Sequence, residues 1–472
     1  MMASSDTSSQ AARDVTPVDP STGESGDGWD YASDDAVAHA VAAAVDAQRA
    51  WASMSPSERG SVLASVADRM EAGADELATL ATREMGKPIA QSRGEVGKCV
   101  GLLRHYGENA ASLVAPRTVA TEARTSEVRV QPLGVVLGVM PWNFPFWQIL
   151  RFAVPALTAG NACLVKPADN TAESAAALDR LFAESDAPPG LLASVRLPPE
   201  RVSDLIDDDR IRGVSLTGSS RAGRAVASQA GAALKPSLLE LGGSDAAVVL
   251  PGVDFDTHLE SLVNARFQNT GQTCIAAKRF LVHADIADAF RERFVEAAME
   301  LCIGDPHDVA TDLGPLARAD LRDGLHQQVE ATVVEGARLL IGGQFAVPDE
   351  SRLAGGFWYE PTVIDQVEPG MTPFREELFG PAASIIEARD DDALLDMANA
   401  CPYGLSATVW TDDLDRAEAF VDGLEVGAVF VNQLAKSDWR LPFGGVKESG
   451  YGRELGGYGI DAFANLKTVW IR

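Results

Sequence analysis

The sequence predicts an α/β protein with a doubly wound, Rossmann-like parallel sheet and a second α/β domain beside it. Three observations carry this. Between residues 134 and 250, short apolar runs such as GVVLGVM and NACLVKP alternate with segments of ten or more residues at helical spacing. From residue 254 the same rhythm begins again. At 472 residues, 46% of them hydrophobic, the chain can bury at least two sizeable cores.

In chain order, residues 1–14 are polar and read as a disordered tail, and 18–24 (VDPSTGE) form a turn-rich entry segment. Apolar residues recur at helical spacing over 35–51 and 56–85, with Ser55 or Ser57 starting the second stretch. A long helix follows the punctuation at Pro88, and His105 within it reads as a packed or surface histidine. The stretch 124–137 (RTSEVRVQPLGVVL) is β-rich, as is 464–472. Strands at 134–140, 161–167, around 215 and at 247–250 are separated by helices at 146–158, 171–183 and 221–233. The second domain is expected to have helices at 257–267, 286–301 and 321–335, with strands at 279–282, 338–341, 384–387 and 429–432. A parallel sheet of this kind seats nucleotides outside the carboxyl ends of its strands, so the first domain is expected to hold a cofactor.

No apolar run is long enough to cross a bilayer and the first residues lack the apolar core of a signal peptide, so a cytoplasmic protein with no membrane partner is expected. Cys99, Cys163, Cys274, Cys302 and Cys401 are scattered, with no CxxC pair, which argues against a disulfide framework and against a zinc site. The six histidines show no ligand-spaced cluster, and no catalytic metal is expected. A formal charge of −28 disfavours nucleic acid as a partner. That charge reads either as a generic acidic surface or, preferably, as adaptation to high salt, in which dense carboxylates keep the surface hydrated while ions screen their repulsion.

Three stretches carry chemistry. FQNTGQTC, residues 267–274, places the Cys274 thiol on a Gly-containing turn, where it can serve as a nucleophile. LELGG ends an apolar run at Glu240, a carboxylate positioned to act as a base. PWNFP holds Asn143 between aromatic rings and prolines, a rigid way to aim an amide donor. Each alone is weak, since a lone cysteine is more often a small buried hydrophobe. Together, GQTC, LELGG and PWNFP resemble the signature set of the NAD(P)-dependent aldehyde dehydrogenase superfamily, and the resemblance runs from about Thr16 to the C-terminus.

That resemblance implies oxidation of an aldehyde to a carboxylic acid with NAD as hydride acceptor. Cys274 would attack the carbonyl, Asn143 and the Cys274 backbone N–H would hold the oxyanion, and Glu240 would activate the water that hydrolyses the thioester. Glu454 in GRELGG matches a second family glutamate, which either assists proton movement or forms a structural salt bridge. Gly218, Ser219 and Gly223 in VSLTGSSRAGRAV resemble the pyrophosphate loop, and Trp142, Lys166 and Asp169 match other cofactor positions. Asp169 stands where the family has the longer Glu, and a carboxylate there favours NAD, with NADP possible. Glu377 and Phe379 in REELFGP match the nicotinamide ribose and ring positions.

Within the superfamily the wording is most similar to short-form succinate-semialdehyde dehydrogenases. Arg151 and Ser437 match a pair that grips a carboxylate, against the plainer readings of a helix-end salt bridge and a turn cap. Gln268 stands where longer members carry Arg, with Arg440 or Lys436 available to compensate. The resemblance divides the chain into an NAD(P)-binding domain (15–117 and 138–246), a catalytic domain (247–448) and a β-strand oligomerisation extension (118–137 and 458–472) that pairs subunits into a homodimer or homotetramer. The competing readings are a broad-range small-aldehyde enzyme, a coenzyme-A-acylating dehydrogenase, a catalytically silent binding protein and a cysteine hydrolase. Glu240 disfavours the second, and the joint presence of Cys274, Glu240 and Asn143 disfavours the third. No histidine pairs recognisably with a cysteine, which disfavours the fourth.

The charge balance yields a prediction: the thermal midpoint rises on transfer from dilute buffer to molar salt, as scanning calorimetry will report, and equal midpoints count against salt adaptation.

Overall fold

The computed structural model describes residues 14–472. The expected disordered tail lies outside the described residues except for Asp14, which accepts a hydrogen bond from the Tyr31 backbone N–H at 2.9 Å.

Four helices, Asp34–Ser53, Pro56–Ala72, Ala74–Met85 and Ile89–Leu113, form the first layer. The second begins at Ser55, whose hydroxyl accepts from the Glu58 N–H while the Glu58 carboxylate accepts from Ser55, so that two otherwise orphaned donors are satisfied. The single helix expected over 56–85 is broken at Gly73, which caps the first half and leads into the second.

The first sheet has six strands in the order Gly450–Tyr451, Ser237–Glu240, Ile211–Thr217, Val135–Val139, Ala162–Lys166, Leu192–Ser194. All neighbours are parallel except the Gly450–Tyr451 edge. The chain starts at Val135–Val139, winds outward in one direction, then returns to wind the other way, so the switch point lies between Val135–Val139 and Ile211–Thr217. One core joins this sheet to the N-terminal helices through Trp51, Leu103, Phe152 and Leu164.

The second sheet has seven strands in the order Arg338–Ile341, Thr362–Asp365, Ala382–Ala388, Ala277–His283, Asp245–Val249, Ser406–Trp410, Ala428–Val431. The strand expected at 247–250 belongs here, not to the first sheet: Asp245–Val249 pairs with Ala277–His283 and Ser406–Trp410. The short link after Glu240 carries the chain across, and Ser237–Glu240 is the strand that completes the first sheet. Thr362–Asp365 and Ser406–Trp410, fully buried and only four and five residues long, lack the alternation that would have revealed them.

The β-rich stretch 124–137 divides at Gly134, whose φ of +137° turns the chain. Thr125–Pro132 pairs antiparallel with Ala464–Ile471 and with Arg117–Thr118 in a three-stranded sheet, whereas Val135–Val139 lies at the centre of the first sheet. Residues 456–462 are helical, so the final strand starts at Ala464. No helix among the described residues is long and apolar enough to cross a membrane.

A buried ion pair fixes the helix that follows PWNFP. Glu95 accepts from the backbone N–H groups of Phe146 and Trp147, each at 2.9 Å, and pairs with buried Lys87. It therefore satisfies the start of Trp147–Ala159 with a charge that favours the helix N-terminus. Glu95→Ala leaves Lys87 uncompensated and two donors orphaned, and is expected to destabilise the fold by about 3–5 kcal/mol in a denaturant titration.

Candidate active site

Sheet register gathers the predicted residues. Lys166, Val139 and Leu216 lie in one row across three parallel strands, and Thr217 pairs with Glu240 on the fourth. The loops leaving those strand ends carry Trp142 and Asn143, Gly218 and Ser219, and Asp169. Residues far apart in sequence thus reach one edge because parallel strands end together.

The cysteine arrives on a strained loop. Asn269 and Thr270 have φ of +55° and +54°, a left-handed conformation that costs of order 1–3 kcal/mol for each residue other than glycine. The neighbours hold it. The Asn269 amide donates to the carbonyls of Asn143 (2.8 Å) and Gln272 (3.2 Å), its backbone N–H donates to Gln91 (2.7 Å), and the Thr270 hydroxyl donates to the Gly314 carbonyl (3.1 Å). Gly271, at φ +72°, must be glycine, because a Cβ there would lie 2.3 Å from the Gly380 carbonyl oxygen. The Asn143 amide donates to the Gln272 carbonyl at 3.1 Å, beside the cysteine.

Two buried cations near Cys274 were not singled out from sequence. Arg266 donates to the carbonyls of Ala382 (2.7 Å), Leu378 (3.0 Å), Gly271 (3.4 Å) and Gly380. Lys278 donates to the carbonyls of Thr273 (2.8 Å) and Cys274 (2.5 Å) and pairs with Glu377 at 3.1 Å. Both tie the cysteine loop to the segment carrying Glu377 and Phe379, where Phe379 meets Trp142 edge-on with 5.7 Å between ring centres. The available signal was basic residues set among apolar ones, Arg266 in ARF before the loop and the pair Lys278 and Arg279 in AAKRF after it.

Burial pushes the Cys274 thiol up to about 11, against the lowering pull of Arg151 and Lys278. Burial also holds the Glu240 carboxyl well above the usual range, and repulsion from Glu454 adds to this while Arg151 opposes it. Among the described residues Glu240 Oε1 has no hydrogen-bond partner. Arg151, 2% exposed, pairs with Glu454, lies 4.6 Å from the Phe443 ring centre and donates to the Thr217 hydroxyl at 3.4 Å. Glu454 therefore forms the salt bridge, and Arg151 already has a counter-ion.

Cys274, Arg151, Gln268 and Ser437 line one cavity of about 450 Å³, joined by Lys98 and Trp147. Lys98, another residue not singled out from sequence, donates to the Ser437 hydroxyl at 2.7 Å, so Ser437 is more than a turn cap. Lys436 lines the same cavity. Arg440 does not: its guanidinium is held by Asp438, two residues away, and is exposed to solvent.

A second cavity of about 620 Å³ is walled by Lys166, Asp169 and Asn170. Lys166 pairs with Asp169 at 3.3 Å, and the Tyr31 hydroxyl donates to the same carboxylate at 3.0 Å. Among the described residues the buried Asn170 Nδ2 has no partner, leaving a donor for a guest. Ser219 caps the 13-residue helix Ser220–Ala232, and Gly223 packs so closely on Leu241 that a Cβ would come within 2.6 Å. A lysine, a carboxylate, an orphaned amide and a helix N-terminus suit a polar dinucleotide.

Comparison with known proteins agrees with this geometry. The model of the aldehyde dehydrogenase family matches residues 7–469. The succinate semialdehyde dehydrogenase [NAD(P)+] Sad of Escherichia coli K12 is 44% identical over 454 residues, covering 96% of this chain and 97% of its own. A succinate-semialdehyde dehydrogenase [NADP(+)] of Mycolicibacterium paratuberculosis is 44% identical over 462 residues, 97% and 96% of the two chains. The crystal structure of succinic semialdehyde dehydrogenase from Streptococcus pyogenes with NADP+ superposes with a TM-score of 0.93 at 32% identity, over 97% and 99% of the chains.

Because the folded protein binds the Glu240 proton more tightly than the unfolded chain does, stability falls as pH rises past the ordinary carboxylate range near about 4.3. Glu240→Gln is therefore expected to raise the thermal midpoint at pH 8, with the gain shrinking toward pH 4. A gain independent of pH would show that Glu240 ionises freely.

Proposed function

The chain belongs to the aldehyde dehydrogenase family, and from that premise we propose that it oxidises succinate semialdehyde to succinate with NAD(P). The observation that carries the substrate is the cavity in which Cys274 shares its walls with two cationic groups, Arg151 and Lys98, and the Ser437 hydroxyl. An aldehyde whose far end is a carboxylate suits such a lining.

Cys274 gives its thiol proton to solvent water and its sulfur bonds to the carbonyl carbon, breaking the C=O π bond and leaving a tetrahedral carbon that carries the charge on its oxygen. The Asn143 amide and the Cys274 backbone N–H are the donors for that oxygen, and a single lost donor in comparable sites costs about 3 kcal/mol. Arg151 and Lys278 favour the thiolate through their charge. Lys166, Asp169, Gly218, Ser219, Glu377 and Phe379 would hold NAD(P), which when bound would supply the hydride acceptor needed for the carbon to reach the oxidation level of a thioester. Glu240 then takes a proton from water, and the hydroxide displaces Cys274 and frees the acid. A carboxylate of raised pKa is a stronger base once ionised, and the unpartnered Oε1 is an open acceptor for that water's proton.

On this reading residues 15–117 and 138–246 bind the dinucleotide and 247–448 supply the cysteine. Asp169 favours NAD, although Lys166 and Tyr31 compensate part of its charge. The three-stranded sheet leaves Leu466, Trp470 and Ile471 at least 40% exposed, an apolar strand suited to pairing subunits as a homo-oligomer. Cysteines without disulfide partners suit a reducing cytoplasm, and the net charge of −28 suits high salt. A broader small-aldehyde range is the second reading, favoured by the Glu454 pairing that occupies Arg151.

Reduced dinucleotide formation is measured in high salt with succinate semialdehyde, glutarate semialdehyde and butanal. A preference for the four-carbon acid supports the reading, and indifference to the terminal carboxylate defeats it. Cys274→Ala is expected to be inactive, whereas Glu240→Gln accumulates an acyl adduct on Cys274 that intact-protein mass spectrometry detects.

A further inference from the structure

We infer that Lys98, on the helix Ile89–Leu113, receives the terminal carboxylate of the substrate together with the Ser437 hydroxyl, and so determines specificity. This rests on the succinate-semialdehyde reading and names the group that enforces it.

The argument is one of unmatched charge. Arg151 is engaged by Glu454, Gln268 is neutral and Lys436 is exposed. Lys98 stands inside the cavity with its ammonium 3.9 Å from the Trp147 ring centre, and among the described residues no carboxylate lies within ion-pairing distance of it. Glu95, one turn earlier on the same helix, is fully committed: one oxygen to the Phe146 and Trp147 N–H groups, the other to Lys87. Lys98 is half-buried, and a partly desolvated cation without a counter-ion carries a cost that an anionic ligand relieves. Burial pulls the Lys98 ammonium down to about 8, with Arg151 pushing the same way and Cys99, Glu95 and Cys274 opposing.

The donors are also correctly disposed. An ammonium has three N–H groups, and Ser437 engages one. The Ser437 hydroxyl accepts that bond, which leaves its own proton to donate. A carboxylate meeting Lys98 and Ser437 therefore gains donors from both while its aldehyde end lies in the cavity that Cys274 lines.

The test compares wild type, Lys98→Met, Lys98→Gln and Lys98→Arg on succinate semialdehyde and on butanal, an uncharged aldehyde of equal length, with saturating dinucleotide. KM for succinate semialdehyde is expected to rise roughly 10- to 100-fold in the Met and Gln variants, as losing a charge-assisted hydrogen bond implies. KM for butanal and both kcat values should hold, and Lys98→Arg should keep much of the preference. Succinate, as an inhibitor of butanal oxidation, should lose potency in parallel. A wild-type preference that survives in both neutral variants overturns this inference alone, and so does an equal loss on both aldehydes, the mark of a structural role. A wild-type enzyme indifferent to the carboxylate overturns the substrate reading as well.

Discussion

The site depends on backbone carbonyls captured by buried cations. Arg266 is wholly enclosed and, among the described residues, pairs with no carboxylate; its fork is filled by carbonyl oxygens from the cysteine loop and from the 378–382 segment. Lys278 does the same on the other side of Cys274, adding one carboxylate, Glu377. A guanidinium carries five donors in a rigid plane, so the carbonyls it serves cannot drift independently. These contacts fix the loop on either side of Gln272 and set the Glu377 and Phe379 segment against it, while Asn269 and Thr270 are held left-handed by their own hydrogen bonds to Asn143, Gln272, Gln91 and Gly314.

A second economy of charge surrounds the sulfur. One guanidinium, Arg151, faces two buried carboxyl groups and the half-buried Cys274 thiol at the wall of the substrate cavity. It pairs with Glu454, and what remains of its field lowers Cys274 and Glu240 only partly against their burial. The resting thiol is thus predominantly protonated and the resting base holds its proton tightly. In the proposed mechanism both become effective when charge develops on the substrate, because a buried field acts there with little screening.

Much of the plan was legible in the sequence. The strand and helix rhythm through 134–233, the Ser55 cap and the motif trio around Asn143, Glu240 and Cys274 are local patterns, and local patterns follow from periodicity and turn chemistry. The strand at Asp245–Val249 was assigned to the wrong sheet because an apolar five-residue run states that it is buried but not beside what. Arg440 was proposed for the pocket on proximity in sequence to Ser437, yet Asp438 lies closer and turns it outward. Lys98, Arg266 and Lys278 gave weak signals, since a single basic residue in a helix or strand pattern ordinarily reads as solvent-facing.

What the sequence determined by itself was the layered α/β architecture and the candidates for the reacting groups, because both are written in short stretches whose neighbours in sequence are their neighbours in space. The tertiary structure decided which charges are matched. Arg151 and Glu454 are 303 residues apart and Lys98 and Ser437 are 339 apart. Only the packing of the Ile89–Leu113 and Trp147–Ala159 helices with the chain's C-terminal segments brings those atoms within hydrogen-bonding reach, and only burial gives their charges force.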